Sequence, residues 1–165
     1  ESGVPWRVAT TGDSWRLDPV HLPVIHPDPG RSPRGTSPNE DSIVLLIEYG
    51  GFRALLTGDA GFPAESLFAA EAGQVDLLKV GHHGSRYSTG EQLLAVTRPS
   101  VAVISSGVND YGHPAPEVIG RLQEVGAAVW RNDREGTISV RTDGRTITVR
   151  GGRTTATYPV RTTAP

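Results

Sequence analysis

The alternation of apolar and polar residues predicts strands and helices in turn from residue 42 onward. The run SIVLLIEY is typical of a buried strand, GG of a two-residue turn, and FRALLTGD of the returning strand of a hairpin. The next segment, FPAESLFAAEAG, has Pro63 near its start, apolar residues at helical spacing and Gly73 at its end. This part of the chain is therefore predicted to form a β-hairpin followed by a helix.

The same alternation continues to residue 150. VDLLKV and SVAVISS are predicted strands, GEQLLAVT and APEVIGRLQEVG are predicted helices, and AAVW is a further short strand. GTISVRTDGRTITVR is a predicted hairpin, because Asp143-Gly144 is a strong turn signal. The order β-β-α-β-α-β-α-β-β-β indicates an α/β sandwich rather than an all-β or all-helical domain.

The two ends of the chain have a weaker pattern. Residues 1–38 predict a loop-rich lead-in with one strand, PVHLPVIHP, in which His21 faces solvent and His26 belongs to the following loop. Residues 39–150 form the predicted α/β core, and residues 151–165 a polar tail that is frayed or extends a sheet edge. With 165 residues, of which 36% are hydrophobic, we expect a single domain.

Composition narrows the kinds of ligand. A formal net charge of -2 gives no general attraction to nucleic acid or anionic membranes. The chain has no cysteine, so any metal ligands must be nitrogen or oxygen atoms. It has no methionine and begins at Glu1, so we expect it to be a piece of a longer protein. Because it has no apolar run of membrane-spanning length, we expect this piece to be soluble.

Three polar clusters follow three predicted strands. Asp59 ends RALLTGD, His82 and His83 follow VDLLKV, and His113 follows SVAVISS. Each cluster has an ordinary alternative, since an aspartate can form a turn, adjacent histidines can be solvated and His-Pro is common in surface turns. Ligand sites in open α/β sheets nevertheless collect at the carboxyl ends of strands, so the three clusters together favour a site.

Such a set of side chains supports metal-assisted hydrolysis. A divalent ion held by imidazole and carboxylate can lower the pKa of a water molecule toward 7 and polarise a phosphoryl or carbonyl oxygen. The candidate metal ligands are Asp59, His82, His83 and His113, and we expect Asp59, His83 and His113 to take part in catalysis. Ser85, Asn109 and Tyr111 lie in the same loops and are candidates to bind a substrate oxyanion or phosphate, with ordinary loop polarity as the alternative.

These residues carry a resemblance to a known family. The segments NEDSIVLLIEYGGFRALLTGDAGFPAE, VDLLKVGHHGSRYS and PSVAVISSGVNDYGHPAPEVIGRL together resemble the carboxy-terminal metallo-β-lactamase-like domain of ComEC-type competence proteins, the membrane channels of bacterial DNA uptake. The resemblance runs from about Trp15 to Val140. It implies an αββα sandwich of two similar halves with one or two divalent metal ions between them, zinc or manganese. It also implies a nuclease or phosphodiesterase that acts on incoming DNA at the outer face of the cytoplasmic membrane.

By position, the resemblance assigns roles to single residues. Asp59 of TGD matches the family's metal-bridging aspartate, and one histidine of HHGS matches a late histidine ligand. His113 of YGHP matches a histidine that ligates a metal, contacts phosphate or protonates a leaving group. Asn39 falls where related enzymes often have another ligand and is a further candidate.

One family signature is absent. The motif H-x-H-x-D-H, which supplies most ligands from the first half of the domain, does not occur here. The resemblance therefore implies that this chain is mainly the C-terminal half of the sandwich. We expect the chain alone to bind metal weakly and to be inactive. We also expect it to expose apolar sheet surface that packs on the missing half, on the channel portion of the parent protein or on a second copy.

Two other functions remain open at this point. The same fold could act on small phosphodiesters or lactones, because a fold does not fix the reaction. The chain could instead be a non-catalytic module that guides single-stranded DNA. The arginines near the C-terminus are interspersed with acidic residues, which is typical of a solvated face: Arg131, Arg134, Arg141, Arg145 and Arg150 alternate with Asp133, Glu135 and Asp143.

The adjacent histidines pose a geometric question. Successive residues of a strand point to opposite faces, so if the strand persisted through His82 and His83, only one of them could reach a given metal ion. The other would then support that ligand or face the substrate. We favour His83 as the ligand, because Gly84 allows the chain to turn directly after it.

Overall fold

The computed structural model describes residues 3, 5–31 and 37–161. Its largest element is a seven-stranded sheet in which strands adjacent in space are also adjacent in sequence. The first four strands pair antiparallel and the last four pair parallel. The strands are β1 (Ser14–Leu17), β2 (Val20–His26), β3 (Val44–Tyr49), β4 (Phe52–Leu56), β5 (Leu77–Lys79), β6 (Val101–Ile104) and β7 (Ala128–Arg131).

Each pair of successive parallel strands is joined by a connection that contains one helix. These helices are α1 (Phe62–Ala72), α2 (Glu91–Thr97) and α3 (Pro116–Glu124), and a single-turn helix α4 (Asn132–Glu135) follows β7. Within the described ranges, the helices are too short or too polar to cross a membrane. The βαβ units predicted from the alternating pattern are therefore present, and the predicted α/β class is confirmed.

A second, antiparallel sheet follows α4. It consists of β8 (Ile138–Thr142), β9 (Thr146–Gly151) and β10 (Thr154–Pro159), with β9 in the centre. Asp143 forms the predicted turn between β8 and β9, and its carboxylate accepts the backbone N–H groups of Arg145 (2.9 Å) and Thr146 (2.7 Å). The tail predicted to be frayed or to extend a sheet edge contains the edge strand β10, so the second alternative holds.

The chain forms three layers with the seven-stranded sheet in the middle. Leu55 and Leu78 point to one face of that sheet and pack in a core with α1, α2 and α3. Their neighbours Ala54 and Leu77 point to the other face and pack against the second sheet, through Ile147 and other residues. Successive strand residues alternate between faces, so β4 and β5 are covered on both sides.

Three predictions for the N-terminal segment are wrong. The described residues of the segment 1–38 contain two strands rather than one, because SWRL pairs with β2 as the edge strand β1. His26 is not in a loop: it is the last residue of β2, is 1% exposed, and its Nε2 lies 2.7 Å from the carbonyl oxygen of Glu40. His21 is half-buried beside Glu48 rather than solvated, with 3.0 Å between Nδ1 and Oε2.

Candidate metal centre

The four candidate ligands lie in loops that follow the carboxyl ends of neighbouring strands in the seven-stranded sheet. Asp59 follows β4, His82 and His83 follow β5, and His113 lies in the loop after β6. These three strands are parallel neighbours, so their carboxyl ends lie side by side at the same end of the sheet. The geometry at this end follows from the backbone of each loop.

Asp59 and His83 face each other at this end of the sheet. Oδ1 of Asp59 lies 3.7 Å from Nε2 of His83, and both side chains are about half exposed. The backbone N–H of Asp59 donates to Oγ of Ser42 (3.1 Å), and the backbone N–H of His82 donates to the carbonyl oxygen of Gly58 (3.0 Å). The aspartate loop is therefore held on one side by Ser42 and on the other by the histidine loop.

The ring of His83 has a defined orientation. Its Nδ1 lies 2.7 Å from the carbonyl oxygen of Ser105, at the end of β6. A carbonyl oxygen can only accept, so Nδ1 must carry the proton and donate it. In the neutral ring this leaves Nε2, the atom that faces Asp59, with a lone pair. A backbone carbonyl that fixes the ring in this way is a common support for a metal-binding histidine.

Aromatic rings continue the cluster on the side of His82. The ring of His82 lies edge-on to the rings of His83, at 6.4 Å between centroids, and of His113, at 5.7 Å. The ring of Tyr111 lies 5.9 Å from that of His113, and its side chain is 83% exposed. The histidine pair therefore connects Asp59 with the loop after β6.

The surroundings of His113 favour its neutral imidazole. Partial burial, the histidine pair and Arg86 lower the pKa of His113 below its usual value, and the Asp59 carboxylate opposes this shift. Burial also lowers the pKa of Lys79, again against the effect of Asp59. A neutral imidazole is the form that binds metal ions.

The histidine pair does not continue the strand. β5 ends at Lys79, and His82 and His83 lie in a 3-10 turn with φ angles of 45° and 56°. The premise that the two rings point to opposite faces of a strand is therefore wrong. Gly84, at φ 84°, completes the turn, and a Cβ there would lie 2.6 Å from Cβ of Pro114. The turn can approach the His113 loop because residue 84 has no side chain.

Three of the predicted contact residues have internal partners. Ser85 is 5% exposed, and its Oγ lies 3.4 Å from the backbone nitrogen of Tyr87. Asn109 uses both side-chain atoms within its own loop, since Nδ2 donates to the carbonyl oxygen of His113 (2.8 Å) and Oδ1 accepts its N–H (3.0 Å). Asn39 lies in the 3-10 turn Pro38–Asp41, where its backbone N–H donates to Oγ of Ser37.

Two charged residues that the sequence did not single out hold the histidine loop. Glu65 of α1 accepts the N–H groups of Thr89 and Gly90, the latter at 2.8 Å. Arg121 of α3 donates to the carbonyl oxygens of Thr89 (3.0 Å), Ser88 (2.9 Å) and Arg86 (3.2 Å). The partners are 24 to 35 residues apart in the chain, so no local pattern could reveal them.

Asp59 and His83 fit the chemistry of a divalent metal ion as a pair. Zinc lies about 2.0–2.2 Å from nitrogen and oxygen ligands, so two ligand atoms of one ion are at most about 4.4 Å apart. The 3.7 Å between Oδ1 and Nε2 meets this limit. Among the described residues, however, no three His, Asp or Glu side chains converge closely enough to hold an ion. The described part of the chain thus offers a pair of ligands.

Comparison with known proteins places the chain in a family. A family model described as the metallo-beta-lactamase superfamily matches residues 5–108. The chain belongs to this superfamily. Membership of the superfamily implies the use of a divalent metal ion. The observed layers of helices, main sheet and second sheet agree with the α/β fold of this superfamily. A solved structure of a Parabacteroides distasonis protein named as a metal-dependent hydrolase aligns over 77% of this chain and 57% of its own, with a TM-score of 0.51 and 15% identity, which supports the fold alone.

Curated relatives connect this member of the metallo-β-lactamase superfamily to competence proteins. It is 36% identical over 148 residues to ComE operon protein 3 of Bacillus subtilis strain 168, covering 88% of this chain and 19% of the relative. It is 38% identical over 132 residues to Recombination protein 2 of Haemophilus influenzae, covering 79% and 16%. It is 33% identical to Competence protein ComA of Neisseria gonorrhoeae, covering 75% and 18%. The predicted resemblance to ComEC-type proteins is confirmed, and the chain spans less than a fifth of each relative.

Proposed function

We propose that this chain supplies part of the metal site of a hydrolase that cleaves phosphodiester bonds of DNA during its uptake. The observation that carries this proposal is the pairing of Asp59 with a His83 ring whose Nδ1 is bonded to Ser105, so that Nε2 faces the carboxylate. Superfamily membership and the similarity to competence proteins support the metal and the biological setting. The expected location is the outer face of the cytoplasmic membrane.

Each member of the cluster has a proposed role. Asp59 and His83 would bind one divalent ion, zinc or manganese, through Oδ1 and Nε2. His82 or His113 would serve a second ion or donate a proton to the leaving group. When bound, such an ion stabilises negative charge on a phosphoryl oxygen and lowers the pKa of a water molecule. Tyr111, with its exposed ring, would contact substrate, whereas Ser85 and Asn109 would shape the loops around it.

The remaining ligands would come from the first half of the sandwich. We propose that the complete domain carries H-x-H-x-D-H N-terminal to this chain and that the chain is the C-terminal half of that domain. With a pair of ligands and no third donor among the described residues, this chain should bind zinc or manganese only weakly and should not hydrolyse DNA. Calorimetric titration of the chain that gave a sub-micromolar Kd for either ion would contradict this expectation.

The substrate class is tested by turnover. We expect the complete domain, loaded with manganese or zinc, to hydrolyse DNA faster than small phosphodiesters or lactones. Preference for a small ester would support the proposed hydrolase activity but contradict DNA as its substrate. Absence of turnover on all three, with metal-independent DNA binding retained, would overturn the hydrolase proposal in favour of a guiding module.

A further inference from the structure

The second sheet presents a cationic outer face. Ile147 and Val149 of β9 and Ala156 of β10 point inward to the core, so the alternate residues of each strand point outward. Antiparallel register aligns these outward residues in two rows across the three strands. The first row is Ser139, Arg150 and Thr155, and the second is Arg141, Thr148 and Thr157. The face is thus built from two arginines and four hydroxyl side chains.

Charge is unevenly distributed between this sheet and the rest of the chain. Residues 136–161 contain five arginines and one acidic residue, although the whole chain has a net charge of -2. Four of these arginines lie on β8, on β9 or in the turns that flank β9: Arg141, Arg145, Arg150 and Arg153. At a rise of about 3.3 Å per residue, the stretch from 145 to 153 spans roughly 25 Å. The positive charges therefore follow the length of the central strand.

The acidic residues interspersed with these arginines in the sequence are engaged elsewhere. Asp133 pairs with Arg131 at 2.6 Å. The Asp143 carboxylate accepts the N–H groups of its own turn, and these hydrogen bonds lower its pKa. Glu135 lies against Gly151, with its Oε1 3.4 Å from the backbone nitrogen of Arg131. The sequence-based interpretation of a solvated face agrees with the exposure of Arg141 and Arg150, but the intervening acidic side chains do not pair with these two arginines.

The arginines of the outer face lack carboxylate partners in the described part of the chain. No Asp or Glu oxygen there lies within 4.0 Å of Arg141 or Arg150. A shallow groove of about 280 Å³ runs between them and is lined by Ser139, Arg141, Thr148, Arg150 and Thr155. Two guanidinium groups with adjacent hydroxyl groups are the donors that proteins use for phosphate oxygens.

We propose that the outer face of the second sheet binds the phosphodiester backbone of a nucleic-acid strand. The charge is complementary, and the groove presents donors without a carboxylate. The face has no aromatic side chain for base stacking, since Tyr158 points inward and its hydroxyl accepts the Trp130 Nε1–H (3.1 Å). It has no large apolar side chain to enter a membrane either, which disfavours a lipid surface. Binding is therefore independent of base sequence and needs no metal ion.

The proposal is tested with the 165-residue chain in EDTA, by fluorescence anisotropy of a labelled 20-nucleotide thymidine strand. Two to four phosphate contacts on a single strand predict that affinity falls about 7- to 50-fold between 50 and 200 mM salt. The double variant R141Q/R150Q should bind at least about 10-fold more weakly at 50 mM salt and show a smaller salt dependence. R141K/R150K keeps the charge and should retain most of the affinity.

A matched control removes the same charge elsewhere. Arg16 and Arg31 are exposed and lie outside the second sheet, so R16Q/R31Q should bind within about twofold of the wild-type chain if the site is local. Equal loss in both double variants would show a net-charge effect and overturn the proposal. Binding to vesicles rich in phosphatidylserine without binding to the oligonucleotide would also overturn it. EDTA keeps every outcome separate from the hydrolase proposal.

Discussion

At the scale of single residues, side chains at the candidate centre are oriented by backbone groups from other loops. The Ser105 carbonyl fixes the protonated nitrogen of His83, and the Ser42 hydroxyl holds the backbone of Asp59. Residue types and their positions after strands were sufficient to predict Asp59, His83 and His113 as candidates. The ring orientation was not predictable, because it depends on a hydrogen bond between residues 22 positions apart.

Glu65 gives the clearest predicted dependence of folding stability on pH. Its side chain is buried at the N-terminus of α2, and burial raises its pKa from 4.5 to about 7, against the backbone N–H groups and Arg121, while Glu40 adds to the increase. The folded state therefore holds this proton more tightly than the unfolded state. The free energy of unfolding should fall as pH rises from about 4.5 to about 7, by on the order of 3 kcal/mol from this group.

The variant Glu65→Gln tests this directly, because an amide does not ionise. Urea unfolding at pH 5 and pH 7.5 should show a smaller loss of stability in this variant than in the wild-type chain. Glu71→Gln, in the exposed part of the same helix, is the matched control and should lose as much stability between pH 5 and pH 7.5 as the wild-type chain. An equal loss of stability in wild type and Glu65→Gln would contradict the raised pKa of Glu65.

At the scale of elements, the βαβ units could be predicted from the sequence, whereas the short and irregular elements could not. Apolar runs on either side of Gly50 and Gly51 define β3 and β4, and apolar residues spaced among polar ones define the three helices. β1 has only four residues, and it is a strand because it pairs with β2 at the edge of the main sheet. The histidine turn was also missed, since the positive φ angles at His82 and His83 are unusual for residues other than glycine.

Gly84 tests the importance of this turn. In Gly84→Ala, the positive φ and the contact with Pro114 should together destabilise the fold by at least about 2 kcal/mol in urea unfolding. Gly120→Ala, in α3 with open space around it, should instead be neutral or stabilise by about 0.5–1 kcal/mol. A Gly84→Ala chain as stable as wild type would show that the turn can move away from Pro114.

At the scale of the whole molecule, the three layers position the centre and leave apolar surface near the N-terminus. The second sheet covers one face of the main sheet, which the composition of the C-terminal segment did not indicate. Trp6, Val8, Trp15 and Leu17 remain largely exposed, the last two on the edge strand β1. Edge strands with exposed apolar side chains favour association.

We therefore predict that the chain self-associates through this edge. Sedimentation velocity should show concentration-dependent oligomers for the wild-type chain, and Trp15→Ser with Leu17→Ser should shift the distribution toward monomer. The double substitution V140S/Y111S, at exposed apolar positions elsewhere, provides the control. A wild-type chain that sediments as a monomer at all concentrations would contradict this prediction.

The proposed function requires Asp59 to bind the metal ion of a phosphodiesterase centre. The most direct measurement is DNA hydrolysis by the complete domain with manganese or zinc, compared between wild type, Asp59→Ala and the control His21→Ala, which alters a histidine on β2 outside the cluster. We predict at least about a 100-fold loss of turnover in Asp59→Ala, in keeping with the several kcal/mol that a catalytic metal contributes, and near wild-type turnover in His21→Ala. Undiminished hydrolysis by Asp59→Ala would contradict the proposed function.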